Sequence, residues 1–170
     1  MNSLRDFFSP NGVAIVGASE TRHYPQSILE NLLQIGYPKE RIFPINPRHK
    51  RVGGLLCYPS LADVPDPVSL AVFTTRRESI VPMLEEAAQR GVRAAVILAD
   101  GYAEEGPEGR RRQEELSRKA DTLGIALLGP NTLGYLAPGF GVGIWAACTL
   151  PRQRHQRRHQ RPRQGGELPA

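Results

Sequence analysis

Three short stretches of this 170-residue chain carry the residue types that hold phosphate groups. The first is Gly17-Ala18-Ser19-Glu20-Thr21-Arg22, where a glycine and small hydroxyl residues lead into a helical pattern. A chain that turns there offers backbone N–H groups and the positive end of a helix dipole to an anion. The second is Asn46-Pro47-Arg48-His49-Lys50-Arg51, with three permanent cations in four residues. The third runs from Thr74 to the pair Arg76 and Arg77. A plainer reading exists for each: one glycine often serves a turn, and clustered cations are usually solvated. Placement decides between the two.

Short apolar runs alternate with longer amphipathic ones, which is the rhythm of a parallel α/β sheet. Gly12 to Gly17 is β-branched and continuous, as a strand buried on both faces should be. Pro25 to Gly36 predicts a helix with an apolar stripe of Ile28, Leu29, Leu32, Leu33 and Ile35. Arg41 to Asn46 predicts a second strand, and Pro44 inside it argues for a sheet edge. Ser69 to Thr74 is the third strand and Arg93 to Ala99 the fourth. Between them Glu78 to Arg90 predicts a helix with Ile80, Val81, Leu84, Ala87 and Ala88 inward, starting late because of Pro82. Pro107 to about Thr122 predicts a charged helix with Leu116, Ala120 and Leu123 inward. Its Glu114–Arg118 and Glu115–Lys119 spacings suit ion pairs one turn apart. Gly124 to Leu128 is the fifth strand, leading to Gly129-Pro130-Asn131. The expected fold is α/β, a single-domain, Rossmann-like, doubly wound parallel sheet.

Such sheets bind ligands at the carboxyl ends of their strands, near the switch in strand order. That rule selects the loops Ala18–Arg22, Asn46–Arg51, Thr74–Arg77, Ala99–Glu104 and Gly129–Thr132, the last containing Asn131. An anionic, phosphate-bearing ligand is the expectation. A G-x-G-x-x-G fingerprint would need glycines at positions 19 and 22, where Ser19 and Arg22 stand. An acid closing the second strand would hold ribose hydroxyls; Asn46 and then Arg48 occupy that place. NAD is disfavoured on both counts, whereas a ligand with an additional phosphate, NADP-like or coenzyme-A-like, is not.

Phe8-Ser9-Pro10-Asn11-Gly12-Val13-Ala14-Ile15-Val16-Gly17-Ala18-Ser19 resembles the opening of the NDP-forming acyl-CoA synthetase family. Phe43-Pro44-Ile45-Asn46-Pro47, Cys57-Tyr58-Pro59-Ser60-Leu61, Gly101-Tyr102-Ala103-Glu104 and Leu128-Gly129-Pro130-Asn131-Thr132-Leu133-Gly134 match it in the same order and spacing. The matching part is the family's N-terminal CoA-binding domain, which is also similar to the α subunit of succinyl-CoA ligase. The resemblance implies a coenzyme A or acyl-CoA site at Gly17, Ala18, Ser19, Thr21 and Arg22, at one of Arg48, His49 or Lys50, and at Leu98, Ala99 and Asp100. Asn46, Pro47, Thr74 and Asn131 join these as members of the selected loops. It also implies that acyl transfer belongs to a phosphohistidine domain and nucleotide entry to a grasp-type domain, neither of which fits after Gly134. His23 and His49, read as surface-loop residues, are assigned no catalytic part. The expected function is therefore coenzyme A binding by an N-terminal module, truncated and not catalytic alone, whose partners are CoA and the absent ligase domains or a partner subunit. Two other readings stay open: a stand-alone CoA-responsive regulatory protein, and an NADP-binding oxidoreductase domain.

Composition removes other classes. The net charge of +5 sits wholly in the arginines after Pro151, and residues 1–150 balance. Nucleic acid is thus not an expected partner of the folded part. Two distant cysteines, Cys57 and Cys148, make neither a disulfide framework nor a zinc site. The longest apolar run, Ala94 to Ala99, is too short to span a bilayer, and Met1 to Asp6 lacks the build of a signal peptide. The expectation is a cytoplasmic chain with a binding domain at 1–146 and a basic, low-complexity, disordered tail at 147–170. From Pro151 to Gln164 that tail holds only Pro, Arg, Gln and His. Such a composition fits a shifted reading frame, because codons beginning with C encode all four residues. In the next frame Arg154 to Gln160 can read Gly-Ile-Ser-Val-Val-Thr-Ser, a strand of the kind with which the family opens its second domain. Sequencing the gene through this region tests the idea: a strand-like segment is expected in the shifted frame, and its absence would refute the shift.

Overall fold

The computed structural model describes residues 4–151. A helical turn α1 (Arg5–Phe8) precedes β1 (Val13–Val16), followed by α2 (His23–Ile35) and β2 (Ile42–Ile45). The two-residue strands β3 (Arg51–Val52) and β4 (Leu55–Leu56) form a small hairpin before β5 (Leu70–Phe73). Next come α3 (Ile80–Gln89), β6 (Ala94–Ile97), α4 (Pro107–Leu123) and β7 (Ala126–Leu128). A second hairpin, β8 (Gly134–Ala137) with β9 (Val142–Trp145), completes the order.

The main sheet runs β2-β1-β5-β6-β7 with every pairing parallel. Counting only its own strands, the order is 2-1-3-4-5, a doubly wound arrangement whose direction reverses between β1 and β5. Alternate residues go to opposite faces, as a period of two requires. Val13 and Ile15 pack with Ile28, Leu29 and Leu32 of α2, whereas Ala14 and Val16 pack with the side carrying α3 and α4. On the α2 face the second hairpin fills the place of another helix, through Val142, Ile144 and Ala146. Pro44 is indeed on an edge strand: Tyr58 N–H donates to its carbonyl at 2.9 Å on the side away from β1.

Several expectations change in detail. Leu33 and Val81 are exposed, since each lies beside its helix's buried face rather than within it. Lys119 pairs with Glu85 across to α3 instead of with Glu115 on its own helix, tying the two helices of that face together. His23 is the first residue of α2, not a loop residue, and its Nε2–H donates to the Ala147 carbonyl at 2.8 Å. α1 and both hairpins were not anticipated.

Residues 147–150 are hydrogen-bonded to α2. Asn31, fully buried in α2, donates from Nδ2 to the carbonyls of Trp145 (2.8 Å) and Cys148 (2.9 Å). Its Oδ1 accepts the Leu150 N–H at 2.7 Å, and Thr149 Oγ1 donates to Glu30 at 2.6 Å. Residues 147–150 thus belong to the fold, while the expectations for 152–170 lie outside the described residues. Tyr37 and Tyr135 tie the opposite end, donating to the carbonyls of Pro10 and Phe7, and burial pushes the Tyr37 phenol up to about 12. The Asn31 knot is worth testing. Asn31→Leu keeps apolar volume but strands two carbonyls and an amide, so a loss of about 2–4 kcal/mol in urea unfolding is expected. A loss under about 0.5 kcal/mol would show that water replaces the carboxamide.

Candidate functional site

The end of β1 admits no side chain. Gly17 has φ +87°, and a Cβ there would lie 2.8 Å from Thr74 Oγ1 and 2.9 Å from Thr75 Cγ2. Both the backbone conformation and the lack of space call for glycine. Neighbouring strands clasp the turn: Thr74 Oγ1 donates to the Val16 carbonyl at 2.9 Å, and the N–H groups of Gly17 and Ala18 both donate to the Ile45 carbonyl. Those two amides, read from the sequence as anion donors, are therefore occupied within the protein. Beyond them Ser19 is buried, with its hydroxyl 3.1 Å from that of Thr21 and accepting the Thr21 N–H at 3.2 Å.

A cleft of about 640 Å³ opens at this turn, at the switch in strand order. Gly17, Ser19, Thr21 and Arg22 form one wall, Asn46, Pro47, Arg48 and His49 a second, and Thr75 and Arg76 after β5 a third. Arg22, Arg48 and Arg76 come from three separate strand ends, and among the described residues none has an ion-pair partner. The nearby carboxylates are turned to backbone amides: Glu20 accepts the Gly53 N–H at 2.7 Å, and Glu86 the Ala62 N–H at 2.9 Å. The cleft is left with a net positive lining that favours an anion.

A neighbouring cleft of about 370 Å³ shares Arg22, Thr75 and Arg76 with the first. It gathers Thr74, Leu98, Ala99 and Asp100, so twelve of the fifteen sequence-selected residues line one cleft or the other. Three do not. Ala18 is buried, with its carbonyl taken by Asn46 Nδ2 at 2.8 Å. Lys50 is exposed beyond the rim. Asn131 (φ +52°) anchors its own loop, donating its N–H to the Ala99 carbonyl at 2.9 Å. Sequence reasoning missed Pro59, Ser60 and Met83 as lining residues. The first two stand in the Cys57–Leu61 stretch, whose pattern was visible without a role.

Arg77 behaves unlike Arg76. Its guanidinium lies across Gly101 (φ +87°), where a Cβ would come within 1.8 Å of Nη1, and it pairs with Glu105 at 3.1 Å. Arg112 reaches the same carboxylate at 2.6 Å and the Gly101 carbonyl at 3.0 Å. In that loop Glu104 Oε1 accepts the N–H groups of Gly101 (2.6 Å) and Tyr102 (3.1 Å). The backbone N–H of Glu104 itself, followed by those of Tyr102 and Gly101 and by the Asn131 side chain, holds the Glu104 carboxyl below the usual carboxylate range against the opposing effect of burial. A depressed folded-state pKa stabilises the fold above the unfolded value and loses that stability as pH falls through the folded one. Melting temperatures of wild type and Glu104→Gln between pH about 7 and about 3 should converge toward the acid end. A constant gap would show that the carboxylate charge contributes nothing.

Residues 11–138 match the family model described as CoA binding domain. The chain is 39% identical over 134 residues to acetate–CoA ligase [ADP-forming] II of Archaeoglobus fulgidus, covering 78% of this chain and 20% of that protein. It is 32% identical over 131 residues to the α subunit of acetate–CoA ligase [ADP-forming] II of Pyrococcus furiosus, covering 76% and 28%. The dinucleotide forming acetyl-coenzyme A synthetase 1 of Ca. Korarchaeum cryptofilum, solved with phosphate and ADP, superposes with a TM-score of 0.78 at 36% identity, covering 85% of this chain and 31% of that one. The chain thus spans between a fifth and a third of the length of these proteins.

Proposed function

The chain belongs to the CoA binding domain family, in the form found in ADP-forming acyl-CoA synthetases, and from that membership we propose that it binds coenzyme A, or the acyl-CoA made from it, across the cleft at the ends of β1, β2 and β5. The observation that carries the reading is the convergence of Arg22, Arg48 and Arg76 on one concavity, none of them ion-paired among the described residues and together outnumbering the one carboxylate of the lining, Glu86. Coenzyme A brings a pyrophosphate and a 3′-phosphate, and charge-assisted hydrogen bonds from guanidinium groups suit both. The hydroxyls of Ser19 and Thr21 add neutral donors beside the first turn. The shared wall of Arg22, Thr75 and Arg76 lets one extended ligand pass from the larger cleft into the smaller, toward Leu98, Ala99 and Asp100.

In this reading the module supplies the coenzyme site of a cytoplasmic acid–thiol ligase, and the bond-making steps belong to other domains or a partner subunit. The share of its relatives' length that the chain spans supports that division. Among the described residues no helix is long and apolar enough to cross a membrane.

Isothermal titration with CoA, dephospho-CoA, NAD and NADP tests the proposal, and tighter binding of a nicotinamide dinucleotide than of CoA would overturn it. Single Arg→Ala changes at 22, 48 and 76 should each cost about 1.5–3 kcal/mol where the guanidinium meets a phosphate. The arginine that holds the 3′-phosphate will show its loss with CoA and none with dephospho-CoA. Equal small losses for both ligands at all three positions would mean that the arginines are solvated surface.

A further inference from the structure

Asn46 lines the larger cleft, yet almost every polar group it owns is directed into the protein. Its Nδ2 donates to the Ala18 carbonyl at 2.8 Å, and its Oδ1 accepts the Arg48 N–H at 3.0 Å. Its own N–H donates to the Tyr58 carbonyl at 2.9 Å. Its carbonyl accepts the His49 N–H at 3.3 Å and faces the Cys57 thiol at 3.6 Å. The first turn, the loop after β2 and the strip from Cys57 to Tyr58 all meet on this one residue. A carboxamide can donate to a carbonyl and accept from an amide at the same time; an ionised carboxylate cannot donate, and a hydroxyl is shorter.

We propose that Asn46 is a positioning residue of the coenzyme site, holding Arg48 at a set distance from the Ser19–Thr21 hydroxyls so that two anionic groups of one ligand are met together. The inference rests on the coenzyme reading of the cleft and goes beyond it, because Asn46 then acts through Arg48 rather than by touching the ligand. Without the carboxamide, Arg48 keeps its charge but its loop loses the link to the first turn. The binding lost should be the part that depends on Arg48, and no other part.

A double-mutant cycle reads this directly. CoA is titrated into full-length wild type, Asn46→Ala, Arg48→Ala, Arg76→Ala and the doubles Asn46→Ala/Arg48→Ala and Asn46→Ala/Arg76→Ala. Asn46→Ala is expected to weaken CoA about tenfold on its own, and no more than about twofold where Arg48 is already alanine. Combined with Arg76→Ala, its effect should multiply in full. Asn46→Ser, whose hydroxyl can still accept the Arg48 N–H, should lose less than Asn46→Ala and serves the same cycle if the alanine variant does not fold. Multiplying losses with Arg48, or wild-type affinity in Asn46→Ala, would overturn the positioning role while leaving the coenzyme site standing. A wild type that does not bind CoA would overturn the site and the role together.

Discussion

The chain must leave β1 through a single residue that has no room for a side chain. Gly17 turns with φ +87° against Thr74, and β1 lies inside the sheet with β2 on one side and β5 on the other. Because both neighbours end at the same height, their last residues clasp the turn: Ile45 takes its amides and Thr74 its preceding carbonyl. The direction in which Ser19 to Arg22 depart, and so the start of α2, follows from that clasp. The cleft and the strand order are then one fact, since the reversal between β1 and β5 is what leaves a gap at this turn.

Much of this was legible in the residues. Continuous β-branched runs mark strands covered on both faces, and Val13 to Val16 or Ala94 to Ile97 could hardly be anything else in an alternating pattern. Pro44 announced its edge through a missing N–H. What escaped was whatever depends on partners distant in sequence. Arg76 and Arg77 look alike on the page, but Glu105, 28 residues downstream, claims only the second. Asn31 sits amid an apolar stripe, and its reason, three backbone groups between Trp145 and Leu150, lies more than a hundred positions away. The first hairpin escaped for a different reason: the two-residue strands β3 and β4 are too short to show any period.

The stretches that carried the family resemblance divide their labour in a way that motif matching could not express. Ser19, Pro47 and Pro59 face the cleft, whereas Glu104 folds its carboxylate into its own loop and Asn131 pins the loop after β7 to Ala99. Asn46 does both. A residue can be part of a recognisable pattern because it shapes the backbone around a ligand, with no need to touch it. Arg77 makes the same point from the other side, as a cation that lines the smaller cleft while its charge is committed to Glu105.

The edge formed by β2 has a bearing on colloidal behaviour. An open strand edge is a template on which a second chain can add by hydrogen bonding. Here Pro44 has no N–H to offer, its carbonyl is taken by Tyr58, and the next outward amide, that of Asn46, is spent on the Tyr58 carbonyl. Another molecule approaching along this side finds no free amide at Pro44 or Asn46 and the Pro44 carbonyl already taken. The strip from Cys57 to Leu61 that walls the cleft is thereby also the cover over this edge of the sheet.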